Sequence, residues 1–413
     1  MVLKAAFRNV LRNRGRTFFT LLTITGAFLM SAVAVSWELG SYNNIIMLFT
    51  GSRTGQIQVS APGYREDPRI TNTVFLDSAL TTIIDTTPGV AAWTPRVFAG
   101  GLVSLISGSD GVAENSSGVF ITGIDPKQEN RATGFASQIV SGVDLMEPAE
   151  GIPGILLGSG LALVLEASPG DTVLVFSQGA DGSMVDRFFL VRGVLESGDL
   201  EADRSTAWIT LDNAWEIFAL EGRVHQIAVM TSSLRQVPGV TERLRTALLG
   251  HDVAVEEWRE FAESFYRAMQ ADAQSLWVML VIILAVAAMG VLNTVLMSVL
   301  ERKREFGLMM ALGAGPGKVV SMVVVETMLK TVVSIIAGSL LTVIVVGIWS
   351  RTGVSFSQPM QFGGITITHM RPEFTPEVFL IPAVTIFLTA LLVCLPPALK
   401  AAHTRPARAM RTI

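Results

Sequence analysis

Cysteine is almost absent from this 413-residue chain, in which Cys394 is the single one. One cysteine excludes an intramolecular disulfide, so a folded domain must depend on its own hydrophobic core. Histidine is also scarce, and His225, His251, His369 and His403 are too far apart to show the spacing of a metal site. The sequence therefore predicts neither a disulfide scaffold nor a metal centre.

Charge is sparse as well, and four stretches of 20 or more residues have none. Only 16% of the residues are charged, 50% are hydrophobic, and the mean hydropathy is +0.50. An uncharged helix of about 20 residues crosses roughly 30 Å of hydrocarbon, so an α-helical membrane protein with four transmembrane helices is predicted. The four stretches are Thr17–Trp37, Ser275–Leu300, Thr331–Ser350 and Val378–Leu399.

These stretches divide the chain unevenly, because a long polar and turn-rich region separates the first from the second. We predict that this region is a large α+β extracytoplasmic domain. The predicted segments are a basic N-terminus at 1–16, transmembrane helices at 17–37, 273–300, 319–350 (with an inner extension) and 378–399, the α+β domain with a terminal helical stalk at 38–272, an inner loop at 301–318, a short outer loop at 351–377, and a tail at 400–413.

The distribution of charge predicts the orientation. Residues 1–16 carry five bases and no acid, and residues 400–413 carry four bases and no acid. Short basic flanks stay in the cytoplasm, so both termini and the 301–318 loop are expected inside, and the 38–272 domain outside. That domain holds 30 acids against 15 bases, which disfavours nucleic acid as a partner. The expected location is a membrane, with the large domain outside the cytoplasm.

The N-terminus allows alternative interpretations. A basic start, an apolar run and the small residues Ala32 and Ala34 fit a cleaved signal peptide, but the run of about 20 residues favours an uncleaved anchor. Leu3, Phe7 and Val10 recur at helical spacing before that run. They fit either a short helix in the inner headgroup region or a simple basic flank.

Alternating apolar residues and turn residues predict the secondary structure of the large domain. Strands are predicted at 55–60, 118–123, 171–176, 187–193, 207–210 and 225–230, and helices at 79–86, 158–166 and 236–249.

The region from Glu256 to Gln274 contains no glycine or proline. Trp258, Phe261 and Phe265 form a helical stripe that leads into the second apolar stretch. This predicts an unbroken rod of about 40 residues, roughly 60 Å long, and the alternative is an ordinary juxtamembrane helix.

Motifs of catalysis are missing. The string from Gly313 to Val319 resembles a phosphate loop, but Leu312 replaces the first glycine and Val319 replaces the hydroxyl residue. The chain is therefore expected to be no enzyme and to bind no ATP, metal or cofactor itself. Glu326 and Lys330 are four residues apart and are predicted to pair. A single intramembrane acid disfavours a proton-driven transporter.

The inner loop carries a resemblance to a known family. Its sequence from Glu301 to Ala314, ERKREFGLMMALGA, closely resembles the motif that follows the second helix in FtsX-like ABC transporter permeases. That group includes the MacB and the lipoprotein-releasing LolC/LolE permeases. Strings at 55–59, 63–64, 121–126 and 406–411 extend the resemblance across the chain and look most like the lipoprotein-releasing members.

The resemblance implies that the loop is a coupling helix, which docks on a separate ABC ATPase dimer that binds ATP and Mg²⁺. Apolar residues would enter a groove and charged residues would fix the register. It also implies a second permease, either a copy of this chain or a homologue, and a periplasmic carrier or adaptor protein. The coupling residues it implies are Glu301, Arg302, Arg304, Glu305, Phe306, Gly307, Leu308, Met309, Leu312 and Gly313, of which Phe306, Leu308, Met309 and Leu312 supply the apolar part.

The implied location is a bacterial inner membrane, with the large domain in the periplasm. The implied function is extraction of lipoproteins, or of another amphiphilic substrate, from that membrane. In lipoprotein-releasing members, helices 1 and 2 enclose a lateral cavity for acyl chains, and the matching candidates here are Phe28, Leu29 and Val291. The alternatives are a MacB-like exporter and an FtsX-like signalling permease. The size of the outer domain disfavours the signalling permease.

Overall fold

The computed structural model describes residues 14–107, 112–146, 151–362 and 365–403. The predicted N-terminal headgroup helix and most of the predicted tail lie outside these residues.

The chain divides into two compact units. We call the first the helical unit; it consists of Met1–Tyr42, Ala268–Ser355 and His369–Ile413. We call the second the sheet unit; it consists of Asn43–Arg267 and Phe356–Thr368.

Four helices among the described residues are long and apolar enough to cross a membrane, as predicted. The first extends beyond the predicted end at Trp37, because a charged residue ends an apolar stretch but leaves the helical backbone hydrogen bonds intact. The four long helices are Arg14–Phe49, Glu263–Glu301, Pro316–Thr352 and Pro376–Ala402.

Small residues let the long helices approach closely inside the helical unit. A Cβ atom added to Gly338 of the third long helix would lie 2.7 Å from the Phe28 ring of the first. At Gly290 of the second long helix, an added Cβ would lie 2.7 Å from Thr23 of the first. Lipid is as apolar as the helices, so the hydrophobic effect does not drive membrane helices together. Small residues allow close backbone approach, and the resulting van der Waals contacts stabilise the packing. Phe28 fills the space that the missing side chain of Gly338 leaves.

The segment between the third and fourth long helices, which was predicted to be a short loop, contains two strands. Strands Val354–Phe362 and Ile365–Met370 pair with each other there.

The predicted unbroken rod is confirmed in its length, since the second long helix Glu263–Glu301 has 39 residues, but its predicted start at Glu256 was wrong. Residues Ala254–Glu257 form a strand, and a single helical turn at Trp258–Phe261 ends at Ala262 before the second long helix begins at Glu263. Glu257 and Glu260 form a reciprocal capping box at that turn, which stabilises a helix start at Trp258. The sequence did not reveal the strand because its pairing partner, residues 57–60, lies about 200 residues earlier.

The sheet unit is α+β. Its strands are β1 Ile57–Ser60, β2 Val74–Phe75, β3 Val90–Ser107, β4 Val112–Ile124, β5 Ile139–Gly142, β6 Gly154–Gly158, β7 Thr172–Gln178, β8 Met184–Leu195, β9 Thr206–Thr210, β10 Arg223–Val224, β11 Gln226–Thr231 and β12 Ala254–Glu257. Its α-helices are Ser78–Thr86, Pro126–Thr133, Ser159–Leu165, Leu200–Ser205, Leu211–Ile217, Val237–Ala247 and Trp258–Phe261. All six predicted strands and all three predicted helices are confirmed.

One mixed sheet organises this unit. Its order is β12-β1-β11-β3-β4-β9-β6-β8-β5, with β7 paired to both β3 and β8, and β2 pairs separately with β10. The β4–β9 and β6–β8 pairs are parallel, and the remaining pairs in the described residues are antiparallel.

Strand β3 is central, because it pairs with β4, β7 and β11. Its residues Val97, Ala99 and Val103 are buried on one face, whereas Gly100 and Leu102 are exposed on the other. This alternation is expected of a sheet that covers a core on one side. The sequence predictions did not include β3, since proline at position 95 and two consecutive glycines at 100–101 interrupt its pattern.

Candidate functional site

The inner loop folds into a short helix of the helical unit, which we call the loop helix (Lys303–Ala311). Arg302 separates it from the end of the second long helix at Glu301. After it, Gly313 has φ of +90°, a conformation that glycine adopts without steric cost. Pro316 then occupies the first turn of the third long helix, where its missing N–H costs nothing.

The loop helix has a buried side and an exposed side. Phe306 is only 1% exposed and belongs to the core of the helical unit, and Met309 packs against the same core. Leu308 and Leu312 are 55% and 80% exposed. Since they are four residues apart, they lie one turn from each other on the same helix face. Leu308 of the loop helix and Leu312, which caps its end, therefore point outward, while Phe306 holds the helix to the long helices.

A row of charges fixes the start of the loop helix. The guanidinium of Arg302 donates from Nε to Glu305 and from an Nη to Glu326, both at 2.8 Å. Glu326 also accepts a hydrogen bond from Lys330 Nζ at 2.9 Å, which confirms the predicted pair. The Arg302 guanidinium carbon lies 5.1 Å from the centre of the Phe306 ring. Glu326 is buried, so it holds two cations where solvent screens little.

Within this chain, the predicted docking residues differ in how far they are covered. Phe306 and Gly307 are buried, and the half-buried Met309 packs against the helical core. The helical spacing of the apolar residues could not distinguish the side covered by this chain from the side left open, because the covering residues come from elsewhere in the sequence. The predicted residues that remain exposed are Glu301, Arg304, Leu308, Leu312 and Gly313, and Arg302 and Glu305 are half-buried.

The predicted acyl-chain residues are also covered to different degrees within this chain. Phe28 and Val291 are buried in the core of the helical unit and Leu29 is half-buried. Apolarity alone could not reveal that Phe28 packs against Gly338. The same two helices expose other apolar residues, among them Leu22 on the first and Val286 on the second.

The sheet unit contains a cavity of about 420 Å³, which we call the sheet-unit pocket. Outward-facing residues of β3, β4 and β9 form its wall, among them Phe98, Phe120 and Trp208. Phe135, from the 3₁₀ turn Phe135–Gln138, packs edge-on against Trp208 with ring centres 5.9 Å apart. Sequence reasoning missed this pocket, since its residues come from segments more than 100 positions apart.

A buried ion pair lies in the wall of the sheet-unit pocket. Glu129 accepts from Arg96 Nη2 at 2.6 Å and from Arg96 Nε at 3.1 Å, and each residue is 3% exposed. Thr94 and Thr133 also donate to this carboxylate, at 2.9 and 3.2 Å. A desolvated pair is tolerated when its polar atoms are satisfied in this way.

His225 is another polar residue of the wall. Its Nδ1 accepts from the backbone N–H of Phe98 at 3.0 Å, and its Nε2 lies 3.1 Å from the carbonyl oxygen of Ile70. This arrangement requires a neutral ring with the proton on Nε2. Burial lowers the pKa of His225 to about 4.

The stability of the sheet unit should fall as the pH is lowered from 6.5 towards 4. The folded chain keeps His225 neutral down to about pH 4, whereas the unfolded chain protonates it near 6.5. The unfolded state therefore binds more protons in this window, and the free energy of unfolding should drop by about 2 kcal/mol between pH 7.5 and pH 5. Hydrogen exchange of β11 in the full-length chain measures this.

The matched control is His225→Asn, whose amide oxygen can still accept from the Phe98 N–H. Its free energy of unfolding at pH 7.5 should be lower than that of the wild type, but the loss on acidification should shrink by about the same 2 kcal/mol. An equal loss in both proteins would show that His225 does not cause the pH dependence.

Metal ligands do not cluster among the described residues, where no group of three or more His, Cys, Asp or Glu side chains could hold an ion.

Comparison with known proteins supports the resemblance of the loop. Residues 277–406 match the family model described as the FtsX-like permease C-terminal domain. The lipoprotein-releasing system transmembrane protein LolC of Neisseria meningitidis is 25% identical over 416 residues, which cover 97% of this chain and 95% of that protein. The macrolide export ATP-binding/permease protein MacB of Pasteurella multocida is 25% identical over 197 residues, which cover 46% of this chain and 30% of that protein.

A solved structure also matches. The periplasmic region of MacB from Actinobacillus actinomycetemcomitans is 17% identical and covers 53% of this chain and 94% of that structure, with a TM-score of 0.37. A TM-score this low does not establish a shared fold. The resemblance that the loop motif predicted is confirmed by these matches: residues 277–406 match the FtsX-like permease C-terminal model, and the chain is similar along almost its whole length to the permease LolC.

Proposed function

We propose that this chain is the permease subunit of an ATP-driven transporter that extracts lipoproteins from a bacterial inner membrane. The observation that carries the proposal is the similarity to LolC, which extends over 97% of the chain. That relative is named as a transmembrane protein of a lipoprotein-releasing system, and we infer the same activity for this chain. A MacB-like export function is the second candidate, supported by the shorter match to MacB.

In this proposal, the loop helix couples ATP hydrolysis to the membrane helices. A separate ABC ATPase dimer binds ATP and Mg²⁺, and its surface groove receives Leu308 and Leu312. Two exposed leucines one turn apart are the anchors that a helix offers to an apolar groove, and the exposed charges of Glu301 and Arg304 lie beside them. The Arg302–Glu326 ion pair fixes the loop helix to the long helices. A movement of the ATPase against the two leucines is therefore transmitted to the membrane helices.

The arrangement in the membrane follows from the charge pattern. We place the termini and the loop helix in the cytoplasm and the sheet unit in the periplasm. A second permease, identical or homologous, completes the transporter. A periplasmic carrier or adaptor protein receives the substrate.

Lipoprotein extraction requires an apolar path for acyl chains. A chain of about 15 carbons resists leaving the bilayer by roughly 10 kcal/mol, at about 0.8 kcal/mol for each CH₂. The exposed apolar residues of the first and second long helices, such as Leu22 and Val286, suit this path. Phe28 and Val291 do not, because other helices of the same chain cover them.

Replacing Leu308 with Asp should uncouple the transporter from its ATPase. A carboxylate forced into an apolar groove costs about 2 kcal/mol or more, which weakens ATPase association about 30-fold. The measurement uses the complex with the ATPase that copurifies with the chain. A photo-crosslinker at Leu22 or Val286 should label lipoprotein acyl chains without nucleotide, and ATP should abolish the label in the wild type but not in Leu308→Asp.

Three variants serve as controls. Leu308→Met keeps the volume and apolarity and should behave like the wild type. Phe306→Asp should damage the helical unit itself, since it buries a charge within the chain. A crosslinker at the buried Phe28 should give no lipoprotein label. Normal ATPase association in Leu308→Asp would refute the docking role, and export of a soluble substrate without any lipoprotein label would favour the MacB-like function.

A further inference from the structure

The sheet-unit pocket is a candidate binding site away from the membrane helices. Its volume of about 420 Å³ falls in the range of small-ligand sites. An apolar cavity of about 150 Å³ holds one benzene molecule, so this pocket has room for about three times as much hydrocarbon, roughly 15 to 18 carbons.

The buried polar groups of the wall already have partners within the protein. Glu129 is saturated by Arg96, Thr94 and Thr133. Both ring nitrogens of His225 have backbone partners. These polar groups are therefore occupied by the protein itself, and the surfaces that remain for a ligand are largely apolar.

The mouth of the pocket is apolar as well. Phe120 lies on its rim and is 68% exposed. Gly100 is the cross-strand partner of Phe120, and its missing side chain leaves the entrance open. On the same sheet face, Leu102 pairs with Phe176, and both are exposed, so an apolar surface continues from the rim along the sheet.

From this geometry we infer that the sheet-unit pocket binds a single long fatty-acyl chain. The acyl chain enters beside Gly100, and its polar end stays in water near Arg69, an exposed residue of the lining that also pairs with Asp67 at 2.7 Å. An open site of this kind gives an acyl chain a second apolar environment after it has left the bilayer. This inference rests on the proposed function only for where the acyl chain comes from. Binding of the acyl chain in the pocket requires neither the ATPase nor transport.

The test uses the full-length chain in lipid nanodiscs and two probes. One is free palmitate with a photoactivatable diazirine, and the other is a lipoprotein that carries the same acyl group. Light should attach the probe to peptides that contain Phe98, Phe120 or Phe135. Label from palmitate alone identifies a free fatty acid as the source, label from the lipoprotein identifies the transported substrate, and either result supports the site.

A variant that blocks the entrance of the sheet-unit pocket makes the test specific. A Cβ at Gly100 would meet no atom within 4 Å, so Gly100→Leu can fold while its side chain blocks the entrance. Excluding even two methylene groups from the pocket should reduce labelling at least about tenfold. Gly118→Leu is the matched control, because Gly118 has the same free space and lies on the same sheet face, opposite Leu102, but does not line the pocket.

Three results would overturn the inference: no label in the sheet unit from either probe, label that survives Gly100→Leu, or equal loss in Gly118→Leu. Capture of an apolar peptide in place of the acyl probes would overturn it too. Failure of ATP-dependent lipoprotein release, with palmitate label retained, would count against the proposed function and leave the pocket assignment in place.

Discussion

Replacing Glu129 with Ala should lower the free energy of unfolding of the sheet unit by about 3–5 kcal/mol. The variant removes the carboxylate from the buried Arg96 and leaves Thr94 and Thr133 without their acceptor. An uncompensated charge in a desolvated site costs far more than the pair contributes when intact. Denaturant unfolding of the full-length chain, followed by hydrogen exchange of β3, measures the loss.

The exposed pair Arg187–Glu216 provides a matched control within the same unit. Its atoms are 3.1 Å apart, but both side chains are largely in solvent. Glu216→Ala should therefore cost about 0–1 kcal/mol. The double variant Arg96→Met with Glu129→Leu should recover much of the loss, because it removes both charges. If Glu129→Ala costs no more than Glu216→Ala, the Arg96–Glu129 pair is not desolvated in solution.

Replacing Glu326 with Ala should release the loop helix from the long helices. Two cations, Arg302 and Lys330, would then lie near each other without the carboxylate that joins them. The expected cost is on the order of 3 kcal/mol at the inner end of the helical unit. In nanodiscs, hydrogen exchange of the loop helix should accelerate about 100-fold, and ATP should no longer abolish the crosslinks at Leu22.

Lys330→Met distinguishes this positioning role of Glu326 from a general loss of charge. It removes one cation but keeps the Arg302–Glu326 bond, so the loop helix should stay protected. Arg302→Met should behave like Glu326→Ala in hydrogen exchange, since it breaks the same bond. Unchanged exchange of the loop helix in Glu326→Ala would show that the ion pair does not hold it.

Local patterns were sufficient for much of the fold. An uncharged run of about 20 residues predicts a membrane helix wherever it occurs, because its length and apolarity are the physical requirement. Alternation bounded by turn residues likewise identified six strands of the sheet unit. The errors fall where a distant partner decides the conformation, as in β12, which pairs with β1 about 200 residues earlier.

In the loop helix, too, the local sequence predicted some features and distant residues decided others. Its sequence indicated a short helix with apolar and charged faces and resembled a coupling element. The pattern did not predict that Phe306 is buried in the core of the helical unit while Leu308 is exposed. Burial of Phe306 depends on neighbours from other segments, which local spacing does not describe.

The sequence by itself determined the four apolar helices, the acidic α+β region and the loop motif, since hydropathy, charge and short-range periodicity fix these features locally. Only the tertiary structure decided which side of each helix is covered, that Arg302 meets Glu326, and that β3, β4 and β9 enclose a pocket. The physical reason is that burial and ion pairing depend on distances in space. The residues concerned are separated by 24 to more than 100 positions along the chain, so no local pattern records their contact.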